Sequence, residues 1–461
     1  MRTRLRSNWV SYLIAVGLLP VFWYFRAFYA EGDGDQIARF IEAGIWFIKT
    51  EVLSQAILQF AYKICSLWNW DGMLTLNLVS CIAGVVMVFF LIRAGEEMGE
   101  NRYTLPVTLS SGFIVLACGH TEYYPQLLAG MAAWNWASMR YLRGRGSPLL
   151  PSLLFSLCVW FHQEAIFAFP AHCFLPALRK EKDHWIPWTF GLLPLVLLAI
   201  IRLVPQISPL RLEGMSHGWN VVPLWSTEGT EKLYSMFEWA HVRDILYAWG
   251  RRSIVAWPMI VMGIVARTVL KGRNGLETLS PKIGEDTERV ESTGPIPLPK
   301  FRWFLAVQCA GFWVLCILWH PNLGIVADWD LFAVEAIPST LLALTFIPVI
   351  VSKRVTYYCL IILLSFSALD TWTRIHDRAR LRTRDRGSVV IEVEGSEDLL
   401  IVLDGHQKGK VIPSVPEGRH YLKMIDPIER WSVNYVLVVS GGRETRVVVQ
   451  SADLWQKKRM N

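Results

Sequence analysis

Apolar residues gather in long blocks between residue 9 and residue 370, separated by short polar segments, and about 20 apolar residues in a helix span the hydrocarbon of a bilayer. The blocks fall at 9–29, 73–92, 104–118, 125–139, 148–161, 164–178, 186–204, 244–266, 301–319, 331–351 and 355–370. This pattern predicts about eleven transmembrane helices. Beyond residue 370 the period changes to two, as in Val389-Val-Ile-Glu-Val, Leu399-Leu-Ile-Val-Leu, Tyr435-Val-Leu-Val-Val and Thr445-Arg-Val-Val-Val, with turn pairs at Asp404-Gly405, Glu417-Gly418 and Gly441-Gly442. The predicted fold is therefore mostly α: a polytopic membrane helix bundle over 1–370, a basic connector over 371–387, and a small antiparallel, β-sandwich-like domain over 388–461.

Charge orients the bundle. The start Met1-Arg-Thr-Arg-Leu-Arg precedes the first block, which has no small-residue cleavage site, so it reads as a retained helix with a cytoplasmic N-terminus. Threading from there places 93–102, 140–146, 179–184, 267–302 and 353–354 in the cytoplasm, and these segments hold much of the Lys and Arg. The net charge of +7 is thus a topology signal, and nucleic acid is excluded as a partner. Within the cytoplasmic loop 267–300, the Gly-, Pro- and Ser-containing stretch 271–300 reads as a flexible connector. The Arg-rich segment 374–386 falls outside against the positive-inside preference, which means either that the span count is off by one or that the segment is an interfacial helix lying on anionic headgroups. The 8 Cys are scattered with no C-x-x-C pair, which argues against a disulfide framework or zinc site.

The outward segments collect the acidic and histidine motifs. The first outer loop, 30–71, opens with Glu31-Gly-Asp-Gly-Asp-Gln36 and continues as a mixed apolar and polar stretch that predicts one or two interfacial amphipathic helices. Asp33 and Asp35 are the carboxylates there, against a simpler reading as a solvated turn that caps a helix. Gly119-His-Thr-Glu-Tyr-Tyr-Pro125 adds His120 and Glu122, and Phe161-His-Gln-Glu-Ala-Ile-Phe167 adds His162 and Glu164 at a turn between apolar blocks. Ionisable groups at membrane depth are costly and line polar cavities. Trp319-His-Pro-Asn-Leu-Gly-Ile-Val-Ala-Asp-Trp-Asp-Leu-Phe332 contributes His320, Asp328, Trp329 and Asp330; the Trp ring suits a sugar face, and Asp330 could equally cap the next helix.

In layout over residues 1–370, with the acidic motif where the first helix ends, the chain resembles the GT-C superfamily of membrane glycosyltransferases. The phrase at 161–167 is similar to the His-Lys-Glu-x-x-Phe pattern of mannosyltransferases, with Gln163 in place of the Lys. The resemblance implies an inverting transfer of sugar from a polyprenyl-phosphate donor to an acceptor glycan, lipid or protein on the outer face of the inner, or plasma, membrane. It implies Asp33 or Asp35 as general base or metal ligand, Glu122 as a further catalytic carboxylate, and Asp35 with Glu122 around a divalent cation such as Mg or Mn. His120, His162, Glu164, His320, Asp328, Trp329 and Asp330 would bind substrate. A basic group must meet the donor phosphate; Arg202, Arg211 and Arg243 stand first among candidates that include His241, Arg251 and Arg252.

The phrases Val402-Leu-Asp-Gly-His-Gln-Lys-Gly-Lys and Val415-Pro-Glu-Gly-Arg-His-Tyr resemble PEGA-type β modules of bacterial surface and envelope proteins, which places that domain in the periplasm or outside the cell. The alternatives are a transporter or flippase, whose polar groups would sit near the midplane in paired repeats, and a scaffold whose β domain docks an envelope partner. No Walker or dinucleotide fingerprint is present.

Overall fold

A computed structural model of the chain describes residues 2–27, 34–45, 51–179, 185–203, 225, 235–273, 297–319, 330–352 and 354–380, together with a set of backbone strands after residue 385. Compact packing divides it into two units, Met1–Ala27 with Gly34–Ile375, and Phe28–Asp33 with His376–Asn461.

The first unit is helical. The helices α1 (Arg2–Tyr24), α4 (Gly72–Met98), α6 (Tyr124–Leu142), α7 (Leu149–Phe161) and α13 (Leu298–Leu318) follow the predicted blocks closely. α4 starts where Asp71 accepts a hydrogen bond from the Leu74 N–H at 2.7 Å and stops at Gly99, whose φ of 81° few side chains tolerate. Between α1 and α4, α2 (Gly34–Glu42) and α3 (Val52–Cys65) form inside the predicted first outer loop. α2 buries Ile37, Ala38 and Ile41 beside Leu58 of α3, Leu76 and Val79 of α4, and Tyr123, while Gln36 and Arg39 are exposed. This one-sided burial is what an amphipathic helix achieves by lying on a bundle.

Several predicted spans are broken into pieces. The block 104–118 becomes α5 (Asn101–Ser110) and a 3₁₀ turn Gly112–Ala117, and 164–178 becomes a 3₁₀ turn Gln163–Ala168 followed by α8 (Phe169–Arg179). The block 186–204 becomes α9 (Trp185–Phe190) and α10 (Leu193–Leu203), and 244–266 becomes α11 (Trp239–Arg252) and α12 (Ala256–Arg273). The block 331–351 becomes a 3₁₀ turn Ala333–Glu335, α14 (Ala336–Leu344) and α15 (Ile347–Val351). Hydropathy cannot register such breaks, because a turn made of Ser, Gly and apolar residues leaves the average unchanged.

Among the described residues, 3 helices are long and apolar enough to cross a membrane, Gly72–Met98, Leu298–Leu318 and Arg354–His376. Five shorter apolar helices accompany them, Leu13–Tyr24, Leu149–Phe161, Trp185–Ile200, Ala256–Thr268 and Ala333–Leu344. These apolar helices fit a membrane helical bundle. The last helix, α16 (Arg354–Arg380), continues unbroken from the final span into the basic connector predicted at 371–387.

In the second unit the backbone forms β1 (Arg386–Val393), β2 (Leu400–Leu403), β3 (His406–Lys408), β4 (Val411–Pro416), β5 (Gly418–Asp426), β6 (Trp431–Val439) and β7 (Glu444–Val449). They pair in the orders β4-β1-β7 and β3-β2-β5-β6. β1 and β7 run parallel, whereas the sequence pattern predicts antiparallel pairing throughout.

Candidate active site

The chain turns around repeatedly at one end of the helical unit, and polar residues meet there. α1 ends at Tyr24; the Arg26 guanidinium lies 4.2 Å from the Trp23 ring centroid and donates to the Trp23 carbonyl at 3.0 Å. The Ala27 N–H donates to the Cys118 carbonyl at 3.2 Å, tying the exit of α1 to the turn before α6. That turn needs Gly119, which has φ of +63° and no room for a Cβ beside Arg26. Gly34, the first residue of α2, rests directly on the side chain of Thr121.

His120 is fully buried in this turn, its carbonyl accepting a hydrogen bond from the Ser80 hydroxyl of α4. Its Nε2 lies 2.7 Å from Oδ2 of Asp330, a residue 210 positions away in sequence. His120, Glu122 and Asp330 each offer a ligand atom within 4.8 Å of the others. An imidazole and two carboxylates suit a borderline divalent cation such as Mn better than Mg, which prefers oxygen alone.

A second group adjoins the first. His162 follows the last turn of α7, its N–H donating to the Cys158 carbonyl at 3.0 Å. Nε2 of His162 is 3.1 Å from Oε1 of Glu51, and Nδ1 is 3.7 Å from Oε2 of Glu164. The Glu164 N–H also donates to Nδ1 at 3.3 Å. Nδ1 therefore carries the lone pair and Nε2 the proton donated to Glu51. The Tyr124 ring lies between the two groups, 6.4 Å from the His120 ring and 5.4 Å from that of His162.

Glu164 belongs to the 3₁₀ turn between α7 and α8, outside the apolar spans. Burial pushes its carboxyl up to about 8; His162 and Arg252 pull it down, while Glu51 and Asp330 push it further up. Arg252 closes α11 and is fully buried, with Nε donating to the Ala248 carbonyl at 2.7 Å and the Phe332 ring centroid 5.3 Å from its guanidinium. Neither Nη makes a hydrogen bond among the described residues, although Cys316 and the carboxylates of Glu335 and Asp330 lie within electrostatic reach. Glu335 in turn accepts from the Ser253 hydroxyl at 3.1 Å.

Of the residues singled out in the sequence, His120, Glu122, His162, Glu164 and Asp330 are thus brought to one end of the helical unit. Asp33, Arg211, His320, Asp328 and Trp329 lie outside the described residues. Asp35 and Arg202 are placed within α2 and α10 by backbone alone. Arg243 is an exposed side chain on α11, paired with its neighbour Asp244 at 3.1 Å. Glu51 and Glu335 were absent from the sequence-derived candidates, since Glu51 lies in a mixed polar stretch of the first loop, Glu335 stands among apolar residues, and neither has a motif around it.

Fold and site together define a membrane-embedded helical protein with a buried carboxylate–histidine centre at one end. No family model matches the chain, and no curated protein matches it. Two similar solved structures are of ArnT from Cupriavidus metallidurans. The apo form has a TM-score of 0.47 and 10% identity over 75% of this chain and 60% of that one. The form bound to undecaprenyl phosphate has a TM-score of 0.47 and 9% identity over 82% of this chain and 72% of that one. The chain therefore spans 60% of the length of the first of them.

Proposed function

We propose that this protein is a glycosyltransferase of the inner, or plasma, membrane that moves a sugar from a polyprenyl-phosphate donor to a hydroxylic acceptor at the outer face. One observation carries the reading: His120 and Glu122 of one turn meet Asp330, some 210 residues away in sequence, in a cluster of two buried side chains and one half-buried one at the end of apolar helices. Burying carboxylates and imidazoles costs several kcal/mol per charge unless they are paired, so their assembly in one place marks a polar ligand site. A sugar and an acceptor hydroxyl need such hydrogen-bonding groups, and a lipid-linked donor needs apolar helices beside them.

In this reading the first-loop carboxylates, Asp33 or Asp35, take the proton of the acceptor hydroxyl, which attacks the anomeric carbon with inversion. Glu122, His120 and Asp330 hold the reacting groups, and they have the donor set to bind a divalent cation, which would supply charge neutralisation near the phosphate. The guanidinium of Arg252 is the better phosphate partner than that of Arg243, because it is buried and its Nη groups meet no oxygen acceptor among the described residues, only the Cys316 thiol, while Arg243 is exposed and paired. His162 and Glu164 border the same centre; His320, Asp328 and Trp329 belong to the acceptor side of the proposal.

The test is transfer of radiolabelled sugar from polyprenyl-phosphate donors in membranes carrying the full chain. His120→Ala, Asp330→Asn and the double variant Asp33→Asn, Asp35→Asn should each lower transfer by about a hundredfold or more with the protein still inserted. Unchanged transfer in all of them, or none from any donor in the wild type, overturns the reading.

A further inference from the structure

The Glu51–His162–Glu164 group has no task in the mechanism above, and α3 is tied to the end of α7 by a further contact besides it. The Ser54 hydroxyl of α3 donates to the Phe161 carbonyl at 3.0 Å and already pins α3 to the end of α7. Glu51 occupies the N-cap of α3 yet makes no side-chain cap; its buried carboxylate turns to His162 instead. A carboxylate normally gains by facing the free N–H groups of a helix start. Here that gain is forgone for a contact that fixes an imidazole.

What the imidazole faces on its other side is Glu164, nearly inaccessible and with Oε2 lacking a hydrogen-bond partner among the described residues. Arg252, from the end of α11, also acts on Glu164 electrostatically, and the Cys316 thiol of α13 is within reach. A carboxylate beside a phosphate site would repel the donor, whereas a protonated carboxyl offers it a hydrogen. We propose, resting on the transferase reading, that Glu164 donates a proton to the departing phosphate oxygen, with His162 holding the Glu164 turn in place and Glu51 as the positioning residue that sets the imidazole tautomer.

The step balances. The bond from the anomeric carbon to the phosphate oxygen breaks with its electron pair going to that oxygen, which takes the Glu164 proton. The acceptor oxygen forms the new bond, and its proton goes to the first-loop carboxylate. Glu164 regains a proton from water. Such a donor must hold its proton at neutral pH, and burial, with Glu51 and Asp330 adding to it against the opposing pull of His162 and Arg252, raises the carboxyl to about 8. Removing the Glu51 charge takes away one cause that raises Glu164, so the titration should move to lower pH.

Infrared titration of the full purified chain, followed by transfer rates over the same pH range, tests this. The wild type should show a protonated-carboxyl band that fades as pH rises through about 8. Glu164→Gln should remove the band and lower transfer about a hundredfold. Glu51→Gln should move both the band and the alkaline limb of the rate to lower pH, and Glu51→Asp, which keeps the charge, should restore most of that shift. A band that does not depend on Glu164, or a midpoint unmoved in a folded Glu51→Gln protein, overturns the proposal. A wild type that shows the band and its Glu51 dependence but transfers no sugar overturns the transferase reading instead.

Discussion

Arg252 illustrates how a single side chain reports on a site. A guanidinium carries five donors in a rigid fork, and leaving them unmet in a buried position costs a few kcal/mol. Among the described residues Nε donates to the carbonyl of Ala248 in its own helix, and apart from the Cys316 thiol the two Nη groups meet no acceptor, so they are already ordered for a ligand. Lys has no fork and cannot replace two parallel hydrogen bonds to a phosphate. Arg252→Lys is therefore expected to raise the KM for the lipid-linked donor by about tenfold or more, the equivalent of one charge-assisted hydrogen bond, with a smaller fall in kcat. Steady-state transfer kinetics check it; an equal fall in kcat at unchanged KM would place Arg252 away from the donor.

Among the elements, α2 and α3 depend most on specific polar contacts. The Gln59 side-chain amide of α3 donates to the carbonyls of Phe40 and Ile45 at 3.0 and 2.8 Å; the Ile45 carbonyl lies beyond the end of α2, and that of Phe40 also accepts from the Ile45 N–H at 2.9 Å. Gln55 donates to the Ile45 carbonyl at 2.7 Å and accepts from the Tyr123 hydroxyl at 2.8 Å, carrying the connection on to the turn that holds His120. Glu42 accepts from the Gly72 N–H at 2.7 Å at the start of α4. Gln59→Leu keeps the volume and removes the donor, so α2 should lose about 1–3 kcal/mol of local stability. Hydrogen exchange over residues 34–45 is expected to accelerate while α4 and α6 stay protected; equal exchange in variant and wild type would show that α2 is held by its apolar face alone.

At the scale of the whole helical unit, the polar site has a counterpart of different character at the other helix ends. There Glu97 of α4 pairs with Arg143 at 3.4 Å and Arg145 at 3.2 Å, and Arg179 of α8 lies 5.1 Å from the Tyr141 ring centroid. On the positive-inside rule the Arg-rich end belongs on the cytoplasmic side, which would put the His120–Glu122–Asp330 cluster of the proposed function at the outer face. Single cysteines at Ser147, in the exposed turn after α6, and at Trp68, exposed after α3, should then be labelled from opposite sides of the membrane by an impermeant thiol reagent. Labelling of both from one side would reverse the assignment of the site to the outer face.

The sequence by itself determined that apolar blocks form helices, because burial of nonpolar surface and the length of the blocks are local properties. It also singled out His120, Glu122, His162, Glu164 and Asp330, since ionisable residues beside apolar runs stand out without any knowledge of contacts. Tertiary structure alone decided where the blocks break, as at Ser253 between α11 and α12, for a turn there is stabilised by Glu335 and Ser339 from another element. It alone joined His120 to Asp330 across 210 residues and Ser54 to Phe161 across 107. Glu51 was invisible for the same reason. Its role comes from the helix packing that brings it to His162, and no spacing rule within the chain encodes a partner supplied by a fold.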